Sequence, residues 1–416
     1  MIKAFCVETN KTINPFGDGI GKTRIMDQPL SEVQRNALND AGVTWVDAVP
    51  DDEPFFLFSD RTWFTSELVE KIIAGDYGRL CVKNSHWLSS TGALQELDGP
   101  GMYEMAWMLP GARPEFETCP VVVTELDLRA VDPDDVVTAV KHPALGISEK
   151  QPFWLGTEMV FQMDHWTHIL RVNHLSMSYA MEKGKREFTS SSMFKKALKI
   201  TRLLMKSRSI NKWKVMQQLN EIEKGADIHP TAVVEFSTVK KGAKIGAFSV
   251  VRGCYIGVEA VIDPYSIVQM SVVGRKAYLP TRAMLNLSVA YPGAMVSSGG
   301  GYQMCLFGRD SFMAFGATIL DLSFGKSIPV CANTGEGLAD SETHFLGAAI
   351  GHRVKVGNAV RINSGVSVPN DAFLVASAEA LLRDWDDAPI HDAVTVRDGK
   401  ATPIQSVKRV PLASRG

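Results

Sequence analysis

The chain has 416 residues, 45% of them hydrophobic and 22% charged, with a formal net charge of −2 at pH 7. This length predicts two or three domains, and the near-neutral charge offers no general reason to expect a nucleic-acid partner. Six scattered cysteines without a CxxC pair indicate reduced thiols. With no signal peptide and no run of about 18 apolar residues, we expect a cytoplasmic protein.

Residues 1–180 are predicted to form an α/β domain. In "QPLSEVQRNALNDAGVTWVDAV", Leu30, Val33, Ala37 and Leu38 recur at helical spacing and predict an amphipathic helix followed by a strand. "DHWTHILRVNHLSM" predicts another helix, which contains Asn173. The two patterns together favour a mixed α/β domain.

A buried strand at 55–58, "FFLF", runs into Ser59 and Asp60 and is followed by a helix that we expect to be capped near Thr65 or Ser66. An acid at the carboxyl end of a buried strand lies where α/β sheets bind ligands. Asp60 is therefore a candidate ligand-binding residue, although such an acid is often no more than a strand end.

A basic linker is expected over 181–224, because Lys183 to Lys214 holds eleven Lys or Arg against one acid, Glu187. One face of the predicted helix carries Phe194, Leu198, Thr201 and Met205. Two interpretations stay open. The helix could lie on the anionic inner face of a membrane with Trp213 as an anchor, or pack on the next domain with a solvated basic face. Without a base-stacking aromatic pattern we expect no nucleic-acid partner.

Residues 225–372 carry a repeat of about six residues. Aliphatic residues recur in steps of 6, 5, 6, 6, 5, 6, 6 and 5, at Ile228, Val234, Val239, Ile245, Val251, Ile256, Ile262, Val268 and Val273. Three hexads of 17 residues predict a triangular coil with each aliphatic pointing inward, and the coils must stack to bury it. The phase returns at Phe307, Met313 and Ile319 and again at Ile350, Val356, Ile362 and Val368.

The repeat is interrupted at 322–345, and it ends after Pro369. The insert predicts either an excursion with a function or a loop that covers a corner of the coil. In the C-terminal cap, 373–416, "SAEALLRDWDDA" predicts a short capping helix and "AVTVRDGKATPI" a hairpin that turns at Asp398 and Gly399.

The hexads resemble the left-handed parallel β-helix of hexapeptide-repeat acyltransferases, which are usually trimers with an acyl-CoA donor bound in clefts between neighbouring prisms. "AAIGHRVKVGNAVRI" is similar to the segment that carries the catalytic histidine of UDP-N-acetylglucosamine acyltransferases. The resemblance implies that His352 is the general base, with a backbone N–H stabilising the oxyanion. Asp310, Asp321 and Glu342 are candidates for the acid that orients the imidazole. The other interpretation is a turn histidine without a catalytic role.

Zinc is a second use of histidines on such a prism, as in γ-class carbonic anhydrases. It requires three converging imidazoles, and His229, His344 and His352 have spacings unlike that family's. We therefore favour the acyltransferase interpretation.

The order of the two parts resembles sugar-nucleotide pyrophosphorylases, such as the bifunctional N-acetylglucosamine-1-phosphate uridyltransferase. "IGKTRIMDQPLSEVQRNAL" is similar to the lysine-bearing stretch of that family. Lys22 would match the lysine, and Asp60 and Asn173 would match two Mg²⁺ ligands. The glycine-rich GxGTR loop of the family is replaced by "VETNKTINPFGDG", in which Glu8 would repel phosphate. We therefore expect a degenerate domain that binds a sugar nucleotide or only packs.

The sequence thus predicts an acyl-CoA-dependent acyltransferase that acts on a sugar nucleotide or a related amine or alcohol. His352 is the expected base, and Lys22, Asn363 and Asp321 are the expected substrate-binding residues. A non-catalytic trimeric scaffold is the alternative, and an active sugar-phosphate nucleotidyltransferase is disfavoured by the missing loop.

Overall fold

The structure is a computed structural model. It describes residues 2–131, 153–211, 214–215, 217–333, 336–377, 379, 394–397 and 400–403. Within these residues an α/β domain comes first, a triangular parallel β-helix follows, and a long helix with a shorter amphipathic helix joins them.

The α/β domain is built on a six-stranded sheet. Its strands are β1 Ile2–Val7, β4 Val43–Val46, β5 Phe55–Ser59, β7 Gly78–Val82, β8 Met102–Met108 and β9 Val121–Thr124. Their order in the sheet is β4-β1-β5-β8-β7-β9. β8 runs antiparallel to its neighbours, whereas β1 is parallel to both β4 and β5. The expected strand over 55–58 is confirmed, and all of its side chains are buried. Phe56 and Phe58 belong to the main core of the domain, whereas Phe55 and Leu57 pack with Phe116 on the other face of the sheet.

Short antiparallel pairs complete this domain. They join β2 Arg24–Ile25 to β3 Gln28–Pro29, β6 Thr62–Phe64 to β12 Val160–Gln162, and β10 Leu128–Val131 to β11 Phe153–Gly156. The first of these pairs lies close to the β-helix, since the Arg24 backbone N–H donates to the Tyr291 hydroxyl.

The helices predicted for this part of the chain are confirmed. They are α1 Leu30–Asp40, α2 Ser66–Ile73 and α4 Trp166–Ser190, with the shorter α3 Ser85–Thr91 between them. Thr65 is the N-cap of α2, although its hydroxyl donates to the Thr157 carbonyl instead of capping the helix. α4 runs past residue 180, where we expected the domain to end, because its first half is buried in the domain and its second half extends beyond it.

The prism begins at Glu221 and has three parallel faces. The first consists of β13 Glu221–Ile222, β16 Thr238–Val239, β19 Tyr255–Ile256, β22 Val272–Val273, β25 Val289–Ala290, β27 Leu306–Phe307, β32 Ala349–Ile350 and β35 Ser367–Val368. The second consists of β14 Asp227–Ile228, β17 Lys244–Ile245, β20 Val261–Ile262, β23 Tyr278–Leu279, β28 Phe312–Met313, β33 Lys355–Val356 and β36 Phe373–Leu374. Met295 bridges β23 to β28.

The third face consists of β15 Val233–Glu235, β18 Val250–Arg252, β21 Ile267–Gln269, β24 Met284–Asn286, β26 Gly301–Gln303, β29 Thr318–Ile319 and β34 Arg361–Ile362. The inward aliphatics predicted from the hexads occupy these strands and form the apolar core of the prism. The parallel β-helix is therefore confirmed.

The stretch 277–303, which looked irregular in the sequence, continues the coils without a break. Its inward residues are Leu279, Leu285, Ala290, Val296 and Tyr302, all essentially buried. The mixture of a small alanine and a large tyrosine hid the pattern, whereas the six- and five-residue steps were kept. The Tyr302 hydroxyl donates to the Ala317 carbonyl, so its polar end is satisfied inside the prism.

The insert forms a hairpin, β30 Pro329–Cys331 with β31 Leu338–Asp340, and lies against the α/β domain of its own chain. His165 Nε2 is 3.0 Å from the Cys331 carbonyl, and Asn333 Nδ2 donates to the Leu94 carbonyl at 3.0 Å. Ile328 and Val330 join the core of that domain. The insert therefore ties the two parts of the chain together.

The C-terminal hairpin is confirmed by β37 Val394–Arg397 and β38 Lys400–Pro403, which pair antiparallel. Its expected turn at Asp398 and Gly399 lies outside the described residues, as do most of the expected capping helix and Trp213. The joining segment contains α5 Met193–Ser207 and a 3-10 turn at Gln217–Leu219. No helix among the described residues is long and apolar enough to cross a membrane.

The α/β domain packs on the first face of the prism. The outward residues Val272, Val289, Leu306 and Ala349 belong to the core of that domain, whereas their strand neighbours Val273, Ala290, Phe307 and Ile350 belong to the core of the prism. Side chains alternate across a strand, so these strands of the first face are buried on both sides. This contact brings the first turns of the chain onto the corner that carries His352.

Candidate functional site

His352 lies in the turn after β32, two residues beyond the inward Ile350, and is 1% exposed. The turn is tightly stacked on the next coil, since a Cβ at Gly351 would lie 2.7 Å from the Asn370 nitrogen. The His352 backbone N–H donates to Asn370 Oδ1 at 2.7 Å. These contacts fix the backbone of the turn that carries His352.

Both ring nitrogens of His352 are hydrogen-bonded within the chain. Nδ1 accepts from the backbone N–H of Arg309 at 2.9 Å, and Nε2 is 3.0 Å from Asp18 Oδ2. A backbone N–H can only donate, so Nδ1 of the neutral ring is the acceptor and the ring proton is on Nε2. Nε2–H therefore donates a hydrogen bond to the Asp18 carboxylate. In this conformation the imidazole has no free lone pair with which to act as a base.

Asp18 comes from the α/β domain and is the acid that pairs with His352. Its carboxylate also accepts hydrogen bonds from both terminal nitrogens of Arg309, at 2.5 and 2.9 Å. Burial raises the pKa of Asp18, but the hydrogen bond and charge of Arg309, with a smaller effect of His352, hold it below its usual value. Burial and the neighbouring Arg309 charge lower the pKa of His352, against the opposing effect of Asp18. The site is therefore an Asp⁻–Arg⁺ pair beside a neutral histidine.

Asp18 was not among the acids expected to orient the imidazole. Asp321 instead accepts a hydrogen bond from Gln303, and Asp310 and Glu342 are exposed at turns. No local signal in the sequence marks Asp18, which is 334 positions away from its partner His352. Only the packing of the α/β domain on the prism brings the two together.

Aromatic side chains close the site. The ring centroid of Phe16 is 5.0 Å from that of His352, and the ring centroid of Tyr291 is 6.1 Å from that of His352. The Phe16 carbonyl accepts from Asn370 Nδ2, and the Tyr291 hydroxyl accepts the Arg24 backbone N–H at 3.1 Å. The segment 13–18 of the same chain thus lies where the resemblance implied an open cleft between neighbouring prisms.

The three expected substrate-binding residues are at least partly exposed. Lys22 is exposed at the end of the 3-10 turn Ile20–Lys22, Asn363 is exposed after β34, and Asp321 is half-buried at the start of the insert. Among the described residues, the ring nitrogens of His352 bond to Arg309 and Asp18 and to none of these three.

Asp60 and Asn173 do not fit a shared Mg²⁺ site. Asn173 is fully buried, its Oδ1 accepts the Met26 backbone N–H at 2.8 Å, and its Nδ2 donates to the carbonyls of Ile169 and Arg24. This amide therefore holds the β2–β3 turn. Asp60 Oδ1 accepts from the Thr9 hydroxyl at 2.8 Å.

Asp60 nevertheless lies at a recognisable edge of the sheet. β4 lies on one side of β1 and β5 on the other, so the strand order reverses between β1 and β5. Glu8 and Thr9 follow β1 and Asp60 follows β5, which places all three residues at this point. Burial raises the pKa of Asp60, and its hydrogen bonds with Thr9 oppose that rise. The described residues contain no group of three or more His, Cys, Asp or Glu that could hold a metal ion.

Comparisons with known proteins found similar solved structures. No protein-family model matches the chain, and no curated protein matches it. The acetyltransferase domain of PglB from Neisseria gonorrhoeae is 14% identical, with a TM-score of 0.19, over 35% of this chain and 54% of that one. The same domain in complex with acetyl coenzyme A is 14% identical, with a TM-score of 0.18, over 36% and 57% of the two chains.

The UDP-N-acetylglucosamine O-acyltransferase LpxA from Moraxella catarrhalis is 15% identical, with a TM-score of 0.20, over 35% of this chain and 60% of that one. This chain thus spans less than two thirds of the length of each of these proteins. At such identities and TM-scores the similarity carries no conclusion about activity.

Proposed function

We propose that the chain is an acyl-CoA-dependent acyltransferase that acts on a hydroxyl or amine of a sugar nucleotide or a related acceptor. The observation that carries the proposal is a hexad-built parallel β-helix with His352 at a corner, two residues after an inward aliphatic and paired with a carboxylate. Once Nε2 is released from Asp18, the imidazole is suited to taking up a proton during acyl transfer.

In the proposed reaction, the acceptor oxygen or nitrogen attacks the thioester carbonyl while His352 takes its proton. The C–S bond then breaks, and the coenzyme A thiolate leaves and takes up that proton. A backbone N–H would stabilise the oxyanion.

In the proposed mechanism the described conformation is a resting state, because Nε2 donates to Asp18 and Nδ1 accepts from Arg309. For Nε2 to accept a proton, segment 13–18 must withdraw and the Arg309 N–H must release Nδ1.

The test is release of free coenzyme A from acetyl-CoA and longer acyl-CoAs, with UDP-, GDP- and dTDP-sugars as acceptors. His352→Gln is the variant of choice, because a glutamine oxygen can still accept the Arg309 N–H in the buried site. We expect it to fold, as checked by circular dichroism, and to lose at least about 100-fold in turnover, the usual contribution of a general base.

His229→Ala is the matched control, since His229 is an exposed turn histidine of the first coil. It should turn over like the wild type. Full turnover by a folded His352→Gln would show that His352 is not the base. No coenzyme A release by the wild type with any donor and acceptor would refute the transferase.

The second candidate is a non-catalytic scaffold, and it is favoured by the engagement of both ring nitrogens of His352. In that case the histidine serves to dock the α/β domain on the prism. The scaffold predicts no thermal shift with any acyl-CoA, whereas a transferase at about 100 times the donor Kd should gain about 2.7 kcal/mol of stability.

We further propose that the α/β domain binds a sugar nucleotide without transferring its nucleotidyl group, at the sheet edge that carries Asp60. Asp60→Asn should abolish a thermal shift caused by UDP-, GDP- or dTDP-sugars. Mg²⁺-dependent pyrophosphate release from a nucleoside triphosphate would replace this proposal with an active nucleotidyltransferase.

For the assembly, we propose a left-handed coil and a homotrimer, as in the resembled acyltransferases. Sedimentation equilibrium tests the trimer: three times the chain mass is expected, and a monomer at all concentrations would refute it.

A further inference from the structure

The helix α5 exposes an apolar ridge. Phe194 is 78% exposed, Leu198 52% and Met205 65%, and the preceding Met193 is 80% exposed. No residue of this helix is buried. Large apolar side chains in such a row are unusual on a free surface and indicate a surface that meets a partner.

The ridge faces away from the rest of the chain. With 3.6 residues per turn, Phe194, Leu198 and Met205 lie on one side of the helix, and the half-buried Lys196 and Leu203 lie on the opposite side. The apolar ridge is therefore not the face through which α5 packs on the rest of the chain. The contact between the helix and the protein is made through its other face.

The charge around the ridge has one sign. Between Met193 and Asn211 there are six basic residues and no acid. Lys195, Lys199, Arg202 and Lys206 form a band along one flank of the ridge, and all are exposed. An apolar ridge beside a cationic band matches the boundary between acyl chains and anionic headgroups, where such helices lie parallel to the surface.

We propose that α5 docks the protein on an anionic lipid surface. Phe194, Leu198 and Met205 enter the headgroup–acyl boundary, and the basic band contacts the lipid phosphates. A protein groove would have to offer acids for the cations and a closed pocket for the ridge. An anionic membrane offers phosphates and an apolar layer side by side over an extended plane. The proposal does not depend on any catalytic activity.

The experiment is co-sedimentation of the full chain with vesicles of phosphatidylcholine alone or mixed with phosphatidylglycerol. Binding is expected with the anionic vesicles, with little binding to the neutral ones. It should weaken strongly in about 1 M salt, where the Debye length is about 3 Å.

Two sets of variants separate the two parts of the surface. Leu198→Ser with Met205→Ser should reduce partitioning at least about tenfold by removing buried apolar area. Lys195→Gln, Lys199→Gln and Arg202→Gln together should reduce it about 100-fold, since each basic residue near an anionic surface contributes about fivefold. Phe315→Ser is the matched control, because Phe315 is 69% exposed on the prism and should not matter.

Equal binding to neutral vesicles, or wild-type binding by the ridge variants, would overturn the proposal. A ridge variant that lowers the sedimentation coefficient without lipid would assign the ridge to a second copy of the chain instead. All substituted side chains are exposed, so unfolding is not expected to obscure the result.

Discussion

Asp18→Ala should weaken the attachment of the α/β domain to the prism. The carboxylate is the shared acceptor of Arg309 and of His352 Nε2, and it is the polar centre of the contact between segment 13–18 and the β-helix. Its removal leaves the Nε2–H of a 1% exposed histidine without an acceptor. The substitution leaves the hexad core untouched, because Asp18 lies outside it.

The magnitude follows from the burial of the three groups. Breaking a fully buried ion pair by removing one partner costs about 3–5 kcal/mol. The side chains of Asp18 and Arg309 are 22% and 32% exposed, so water compensates part of the loss, and we expect about 2–3 kcal/mol. Most of this cost should come from the histidine, which solvent cannot reach.

Tryptophan fluorescence during urea unfolding measures this loss. The chain has eight tryptophans and none lies between residues 221 and 374, so the signal does not come from the prism. The fluorescence midpoint should fall in the Asp18→Ala variant, whereas far-ultraviolet circular dichroism of the β-helix should change less. The free energy difference follows from the midpoint and the slope.

Asp371→Ala is the matched control. Asp371 also makes a paired contact with an arginine, Arg353, at 2.6 and 2.7 Å, but both side chains are more than half exposed. Its removal should have little measurable effect, as is usual for surface pairs. If Asp18→Ala unfolded like this control, the Asp18–His352 contact would not hold the domain, and the argument from burial would fail.

Lowering the pH should destabilise the α/β domain already at pH values well above the pKa range of ordinary carboxylates. Burial lowers the pKa of His165 to about 4 and of His168 and His174 to about 3. The unfolded chain protonates these groups near pH 6.5, so stability is complete above that pH and is lost as pH falls towards the folded pKa values. We expect a loss of up to about 2 kcal/mol per histidine between pH 7 and pH 5 by urea unfolding, and equal midpoints would contradict the burial. Separately, Gly351→Ala should lower the melting temperature markedly, because its Cβ would lie 2.7 Å from the Val368 carbonyl oxygen. Gly325→Ala, with nothing within 4 Å, should melt like the wild type, and equal melting of the two would show that the coils are loosely stacked.

Local patterns predicted the prism well because each hexad carries its own signal. An inward aliphatic such as Val239 or Ile262 and a small residue such as Gly246 appear within a few positions of each other. A Cβ at Gly246 would lie 2.6 Å from the Pro264 nitrogen, so close stacking of coils is what requires the glycine there. The signal weakened at 277–303, where the small Ala290 and the large Tyr302 occupy inward positions that other hexads fill with valine, isoleucine or leucine.

The surface between the two parts cannot be recognised from the hexads. Strands of the first face carry two adjacent apolar residues, as at Val272–Val273 and Leu306–Phe307, but so do strands of the other faces, as at Val261–Ile262 and Ile267–Val268. Doubled apolar positions therefore do not distinguish the face that is covered. Nor do they indicate what covers it, because burial is set by area and not by the identity of the partner.

The sequence by itself determined the triangular β-helix, the α/β domain before it and the position of His352, because these depend on residues close together in the chain. Only the tertiary structure decided the chemical state of that histidine. Asp18, Arg309 and Phe16 reach it from distant positions, and together they set its tautomer, its burial and the direction of its pKa shift. The same holds for α5, whose apolar face could be recognised from spacing, whereas its orientation away from the protein required the packed chain. Periodicity reports which face of an element is apolar, but its partner depends on contacts between residues far apart in sequence.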